Sequence, residues 1–208
     1  MSTKHTSKLA QTIAFPQFTG LRCLMMPYIQ GNADSVPEIY APYREIIESV
    51  FVKKGDIGFL TIDESLAIQG TPHRGDRARH GRALHTEAGK SVVDGTLQWG
   101  WGGNRRVTLD RETQILLANN LDGSCAVWDA EHEDTSRDGD IGHIAHSYPY
   151  DTAILMKAGE IHQIGILTPH ESIPVEANFN RQFLRIISSG VHGREDHFTV
   201  NPLVALPS

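Results

Sequence analysis

A mainly β fold in a single domain is what this sequence predicts, on three observations. From Gly55 onward, short runs rich in β-branched and apolar residues follow one another: IGFLTI, RVTL, TQILLA, SCAVW, TAILM, EIHQIGIL and RQFLRII. They are separated by Gly, Pro, Asn and Asp, the punctuation of an all-β barrel or sandwich rather than of alternating βαβ units. Helical periodicity is confined to one stretch, residues 36–53. Finally, 208 residues with 39% hydrophobic and 21% charged content supply one sizeable core, whereas two domains would each be thin.

In chain order, residues 1–15 read as a loosely held arm with no uninterrupted apolar stretch. The helix over 36–53 has a start and a stop. Ser35 and Glu38 fit a capping box and Pro37 suits a first turn. Tyr40, Tyr43, Ile46, Ile47, Val50 and Phe51 recur at helical spacing, and Lys53, Lys54 and Gly55 close the element. Its apolar stripe either covers the β core or forms an oligomer contact. Residues 55–190 then carry the β core. Three loops interrupt it. HRGDRARHGR (73–82) holds Arg74, Arg77, Arg79 and Arg82, which either draw in an anionic, amino-acid-like substrate or face solvent. WGWGGN (99–104) is a turn whose Trp99 and Trp101 cap the core or stack on something flat and apolar. DAEHEDTSRDGD (129–140) lacks the ligand register of an EF-hand and reads as a solvated loop.

Composition narrows the partners. The net charge is -6 and the sequence pI about 6.0, so no global positive field draws the chain to nucleic acid or to an anionic membrane. A small molecule is the expected partner. Cys23 and Cys125 stand far apart without CxxC spacing, which argues against a thiolate zinc site or a disulfide framework and suits the cytoplasm. No run approaches the ~20 apolar residues of a membrane span.

Three segments carry candidate chemistry. In GRALHTEAG (81–89), an extended chain puts His85 and Glu87 on one face, so an imidazole and a carboxylate converge. His170 follows a proline at a strand end, where it faces a barrel mouth. Two histidines and one carboxylate on one side of an ion leave positions open for substrate and O2, the composition a non-haem Fe(II) oxygenase requires. In RQFLR, Arg181, Phe183 and Arg185 share a face. A guanidinium inside a barrel needs an anion, since leaving it unpaired costs several kcal/mol. That anion is either the carboxylate of a 2-oxo acid or a protein carboxylate such as Glu87, Glu160 or Glu171.

The order His85-x-Glu87, then AGE (158–160), then His170, then Arg181 resembles the Fe(II)/2-oxoglutarate-dependent oxygenases over roughly residues 55–190. The resemblance implies a double-stranded β-helix, the jelly-roll relative of the cupins, with an N-terminal helix packed on the barrel. It implies His85, Glu87 and His170 as iron ligands and Arg181 as the anchor of the distal carboxylate of 2-oxoglutarate, with Arg185 the alternative anchor. Fe(II), 2-oxoglutarate and O2 would then oxidise a small molecule, by hydroxylation, desaturation, cyclisation or epimerisation. The chain departs from the pattern in using Glu87 where Asp is usual. His132-Glu133-Asp134 also satisfies His-x-Asp, but little sequence separates it from His170. KAGEIH (157–162) resembles the second cupin motif and makes His162 a rival third ligand. The competing expectation is therefore a cupin-type metal-binding protein, or a metal-dependent isomerase or dioxygenase that does not use 2-oxoglutarate.

Overall fold

The computed structural model describes residues 7–50, 53–72, 81–93, 96–101, 113–133, 139–188 and 198–204. Among these, the chain is mainly β with one short α-helix. Its strands are β1 (Ser7–Thr12), β2 (Arg22–Ile29), β3 (Ile57–Ala67), β4 (Ala88–Val93), β5 (Thr96–Trp101), β6 (Gln114–Asn119), β7 (Cys125–Val127), β8 (Ile154–Leu155), β9 (Glu160–Gly165), β10 (His170–Ser172) and β11 (Phe179–Ile187). A six-stranded antiparallel sheet has the order β1-β9-β6-β11-β3-β2, a three-stranded one the order β10-β7-β8, and β4 and β5 form a hairpin. The runs IGFLTI, TQILLA, EIHQIGIL and RQFLRII become β3, β6, β9 and β11, while SCAVW and TAILM are strands only over their central residues. RVTL lies outside the described residues.

The register of β11 decides what each face of the large sheet carries. Gln182, Leu184 and Ile186 lie beside Glu64, Ile62 and Leu60 of β3, with Ala118 and Leu116 of β6 beyond. On this face Leu60, Ile62, Leu184 and Ile186 pack against Tyr43, Ile46 and Ile47 of the helical segment. Arg181, Phe183 and Arg185 point the other way, beside Ser65, Asp63 and Thr61. On that side Ile115, Leu117, Ile164 and Ile187 share an apolar cluster with Cys125 and Val127 of the small sheet. Fully burying an Ile or Leu is worth roughly 1.5–3 kcal/mol, so both layers hold the sheet in place. The arginines thus sit in the space between two sheets.

Two expectations are corrected. The helix over 36–53 is instead a 3-10 segment, Glu38–Tyr43, followed by α1 (Arg44–Ser49), with Val50 already extended and residues 51–52 outside the described residues. Pro42 is the reason: it has no N–H to donate, and its ring crowds the carbonyl four residues back, so regular α-geometry begins after it. The capping box does not form. The Ser35 hydroxyl accepts from Ile29 N at 2.9 Å and donates to Asn32 O at 2.7 Å, and the Glu38 carboxylate pairs with Arg44 at 2.8 Å. The loose arm over 1–15 is, from Ser7 to Thr12, an edge strand on β9. Its backbone supplies the ladder whatever the side chains, which is why a polar stretch can be a strand.

Glu64 is a buried carboxylate in the layer facing α1. It accepts from Tyr43 Oη at 2.7 Å, Gln182 Nε2 at 2.9 Å, Thr19 N at 2.7 Å and Leu21 N at 2.9 Å. Burial pushes its pKa up, but these four donors outweigh burial and hold it below the ordinary 4.5. An acid with a lowered folded pKa stabilises the fold above its unfolded value, and that stabilisation is lost as pH falls through the folded value. Glu64→Gln is therefore expected to melt lower than wild type at neutral pH and to show a shallower decline on acidification. Thermal melts from neutral to acidic pH check this, and parallel curves would exclude it.

Candidate metal centre

The two segments that carry the histidines are stitched together by their backbones. His85 N donates to His170 O at 3.0 Å and His170 N to His85 O at 2.9 Å, which sets the imidazole centroids 4.1 Å apart. Both histidines are 6% exposed. Each ring turns its Nδ1 toward a backbone carbonyl two residues earlier: His85 to Ala83 O at 2.8 Å, His170 to Thr168 O at 2.9 Å. A carbonyl only accepts, so each ring holds a proton on Nδ1, and Nε2 is the nitrogen left to bind an ion once it is free of its own proton, as in a metal-binding histidine. Gly139 holds the first segment in place. Thr86 N donates to its carbonyl at 2.9 Å, its φ is +79°, and a Cβ there would strike the Thr86 carbonyl.

Glu87 completes the group. Its Oε1 lies 3.3 Å from His170 Nε2, and one ligand atom from each of His85, Glu87 and His170 lies within 4.8 Å of the others. Among the described residues this is the cluster able to hold a metal ion. Two imidazoles and one carboxylate suit a divalent transition metal with open positions, so the donor chemistry fits such an ion.

The two arginines part company. Arg185 Nη1 donates to both Glu87 oxygens at 2.8 Å, while its Nη2 reaches Met25 Sδ at 3.1 Å and Thr61 Oγ1 at 3.3 Å. For Arg185, the alternative of a protein carboxylate, Glu87, is realised here, and a carboxylate with roughly four acceptor positions keeps capacity for an ion. Arg181 is 2% exposed and makes no ion pair among the described residues. Its Nε meets Ser124 Oγ at 3.4 Å, its Nη2 meets Cys125 Sγ at 3.0 Å, and the guanidinium carbon lies 5.3 Å from the Phe183 ring centroid. A cavity of about 140 Å³ is lined by His85, Glu87, His170, Arg181, Arg185 and Cys125, among others.

The other candidates lie apart. His162, in the middle of β9, directs Nε2 to Glu160 Oε2 at 3.1 Å and does not join the triad. The Glu160 carboxyl is held below its usual range by Lys157 N and by His162. His132 Nδ1 lies 3.1 Å from the Tyr148 hydroxyl, and Asp134 is outside the described residues. Arg74, Arg77 and Arg79 also lie outside them, as do the side chains of Trp99 and Trp101.

Arg82 has a role that sequence reasoning missed. Its Nε and Nη2 grip Glu171, with contacts down to 2.8 Å, and its Nη1 donates to Ala145 O at 2.9 Å and Tyr148 O at 2.8 Å. The guanidinium carbon lies 4.3 Å from the Tyr150 ring centroid and 5.3 Å from that of Trp128. Burial, with the bond and charge of Glu171, pushes the Tyr150 hydroxyl up to about 12. Arg82 and Glu171 flank His85 and His170, so this clamp ties the ligand segments together from outside the triad. Arg82→Gln strands a buried carboxylate and is expected to cost up to about 3–5 kcal/mol of stability, read by denaturant unfolding. A cost under ~1 kcal/mol, the usual worth of a surface pair, would show the clamp to be incidental.

No family model matches the chain, and no curated protein matches it. Among solved structures it is similar to the crystal structure of EvdMO1, with a TM-score of 0.35 and 14% identity over 74% of this chain and 31% of that one. The chain thus spans less than a third of the EvdMO1 chain, and a likeness at that level fixes neither family nor activity.

Proposed function

We propose that the chain is a non-haem Fe(II) oxygenase that uses 2-oxoglutarate as co-substrate to oxidise a small molecule, in the cytoplasm. The observation that carries this reading is Arg181, a buried guanidinium without a counter-ion among the described residues, in the same cavity as a triad of two histidines and a glutamate. A free acid is what such a cation lacks. Two antiparallel sheets with the cavity between them support a double-stranded β-helix as the framework.

The bound metal and co-substrate would supply reductive activation of O2 coupled to oxidation of the 2-oxo acid to succinate and CO2. The chain's residues supply the rest. His85 and His170 present Nε2, each ring fixed by the proton on Nδ1. Glu87 adds the anionic ligand and is oriented by Arg185. Arg181 takes the distal carboxylate of the co-substrate, and Leu117 and Phe183 give the cavity apolar walls. At about 140 Å³ the cavity is well below the ~300–1,000 Å³ that drug-sized ligands occupy, so it suits one small acid.

That same volume favours a second reading, a metal-dependent isomerase or dioxygenase in which the acid on Arg181 is itself the substrate. Succinate release from 2-oxoglutarate across a panel of amino acids and small metabolites, with His170→Ala and Arg181→Ala as controls, separates the two. Succinate dependent on both residues supports the oxygenase. Consumption of an acid without succinate supports the alternative.

A further inference from the structure

Cys125 opens β7 on the cavity wall, with its sulfur accepting from Arg181 Nη2 at 3.0 Å. Arg181 has its Nε on Ser124 Oγ at 3.4 Å and, among the described residues, no hydrogen bond from Nη1 and no ion pair. One guanidinium thus touches a thiol at one corner and has donors to spare at another, inside a space that admits a small molecule. The other cysteine provides a contrast. Cys23 packs in the layer facing α1, reaches Leu60 O at 3.7 Å, and burial pushes its thiol up to about 12.

We propose that Cys125 is an anion-guided nucleophile: a small carboxylate bearing an electrophilic carbon seats on Arg181 and is captured by the neighbouring sulfur. The inference rests on the reading of Arg181 as an acid seat and adds to it a site of covalent modification. Charge recognition delivers the carboxylate, and the shared guanidinium places the adjacent carbon beside Cys125, which raises its effective concentration there. With iodoacetate, a sulfur lone pair forms the S–C bond as the C–I bond breaks, iodide leaves, and the thiol proton goes to water. No electron acceptor is needed. The product keeps its carboxylate on Arg181 and so fills the seat a 2-oxo acid would take.

The test compares alkylation of the metal-free full chain by iodoacetate and by iodoacetamide, with the site assigned by peptide mass. The rate ratio of the two reagents at Cys125 is normalised to their ratio on glutathione. A normalised preference for iodoacetate of about tenfold or more is expected, collapsing toward unity in Arg181→Gln and largely kept in Arg181→Lys, with Cys23 unlabelled. Thermal melts establish that both variants are folded. A ratio near unity in wild type overturns the proposal, as does a Cys125 that reacts only after unfolding in urea. Excess 2-oxoglutarate separates the two readings. Slowing by 2-oxoglutarate without reagent preference removes the nucleophile and leaves the acid seat. Preference without slowing keeps the guided thiol and counts against 2-oxoglutarate. Neither effect removes both.

Discussion

His170→Ala is expected to abolish stoichiometric binding of a divalent transition metal, lowering affinity by more than the ~10–100-fold that loss of a residue behind a ligand typically costs. The expectation follows from the backbone exchange between His85 and His170 and from the Nδ1 bonds to Ala83 and Thr168, which leave the Nε2 of each ring to bind, that of His170 3.3 Å from Glu87 Oε1. Removing one imidazole leaves a histidine and a glutamate, and that glutamate already accepts two bonds from Arg185. Isothermal titration with Mn(II), Fe(II) or Zn(II) reads the effect, and His162→Ala is the control because His162 pairs with Glu160. An unchanged isotherm for His170→Ala, or a loss in His162→Ala, would move the metal elsewhere.

Arg181→Met should have opposite effects on stability and on binding. A buried guanidinium with no carboxylate partner among the described residues is a cost carried by the ligand-free fold, so a similar-sized apolar side chain is expected to raise its stability by about 1–2 kcal/mol. Hydrogen bonds to charged groups are worth ~1.5–3 kcal/mol, so the same change should weaken 2-oxoglutarate binding roughly 10–150-fold. Thermal melts with and without 2-oxoglutarate show both at once. Wild type melts below the variant when free and gains on adding the acid, and the variant gains little. A variant that melts lower than wild type without ligand would show Arg181 to be structural, held by Ser124, Cys125 and Phe183. Such a trade of stability for function is usual where a site awaits its ligand.

The legible parts of this protein are those set by short-range periodicity. Two-residue alternation placed His85 with Glu87, and Arg181 with Arg185, on shared faces, and the structure groups His85, Glu87 and His170. Strand runs were legible for the same reason. The helix was overextended because apolar spacing from Tyr40 to Phe51 continues through Pro42, whose missing N–H counts for more than the pattern. β1 was missed because an edge strand is held by its backbone and leaves no apolar signature. The choice between the arginines was closed to sequence reasoning: both share a face, and only the approach of Glu87, 98 residues away, shows that Arg185 is matched within the protein. The Arg82–Glu171 clamp spans 89 residues and was invisible for the same reason.

The most direct test of a metal and an acid meeting in one cavity is anaerobic absorption spectroscopy of the metal-free protein titrated with Fe(II) and then 2-oxoglutarate. A weak visible charge-transfer band is expected to saturate at one equivalent of each, to be absent in His170→Ala, and to need far more 2-oxoglutarate in Arg181→Met. Iron bound at one equivalent with no band at any 2-oxoglutarate concentration, or a band unchanged in Arg181→Met, would contradict the account.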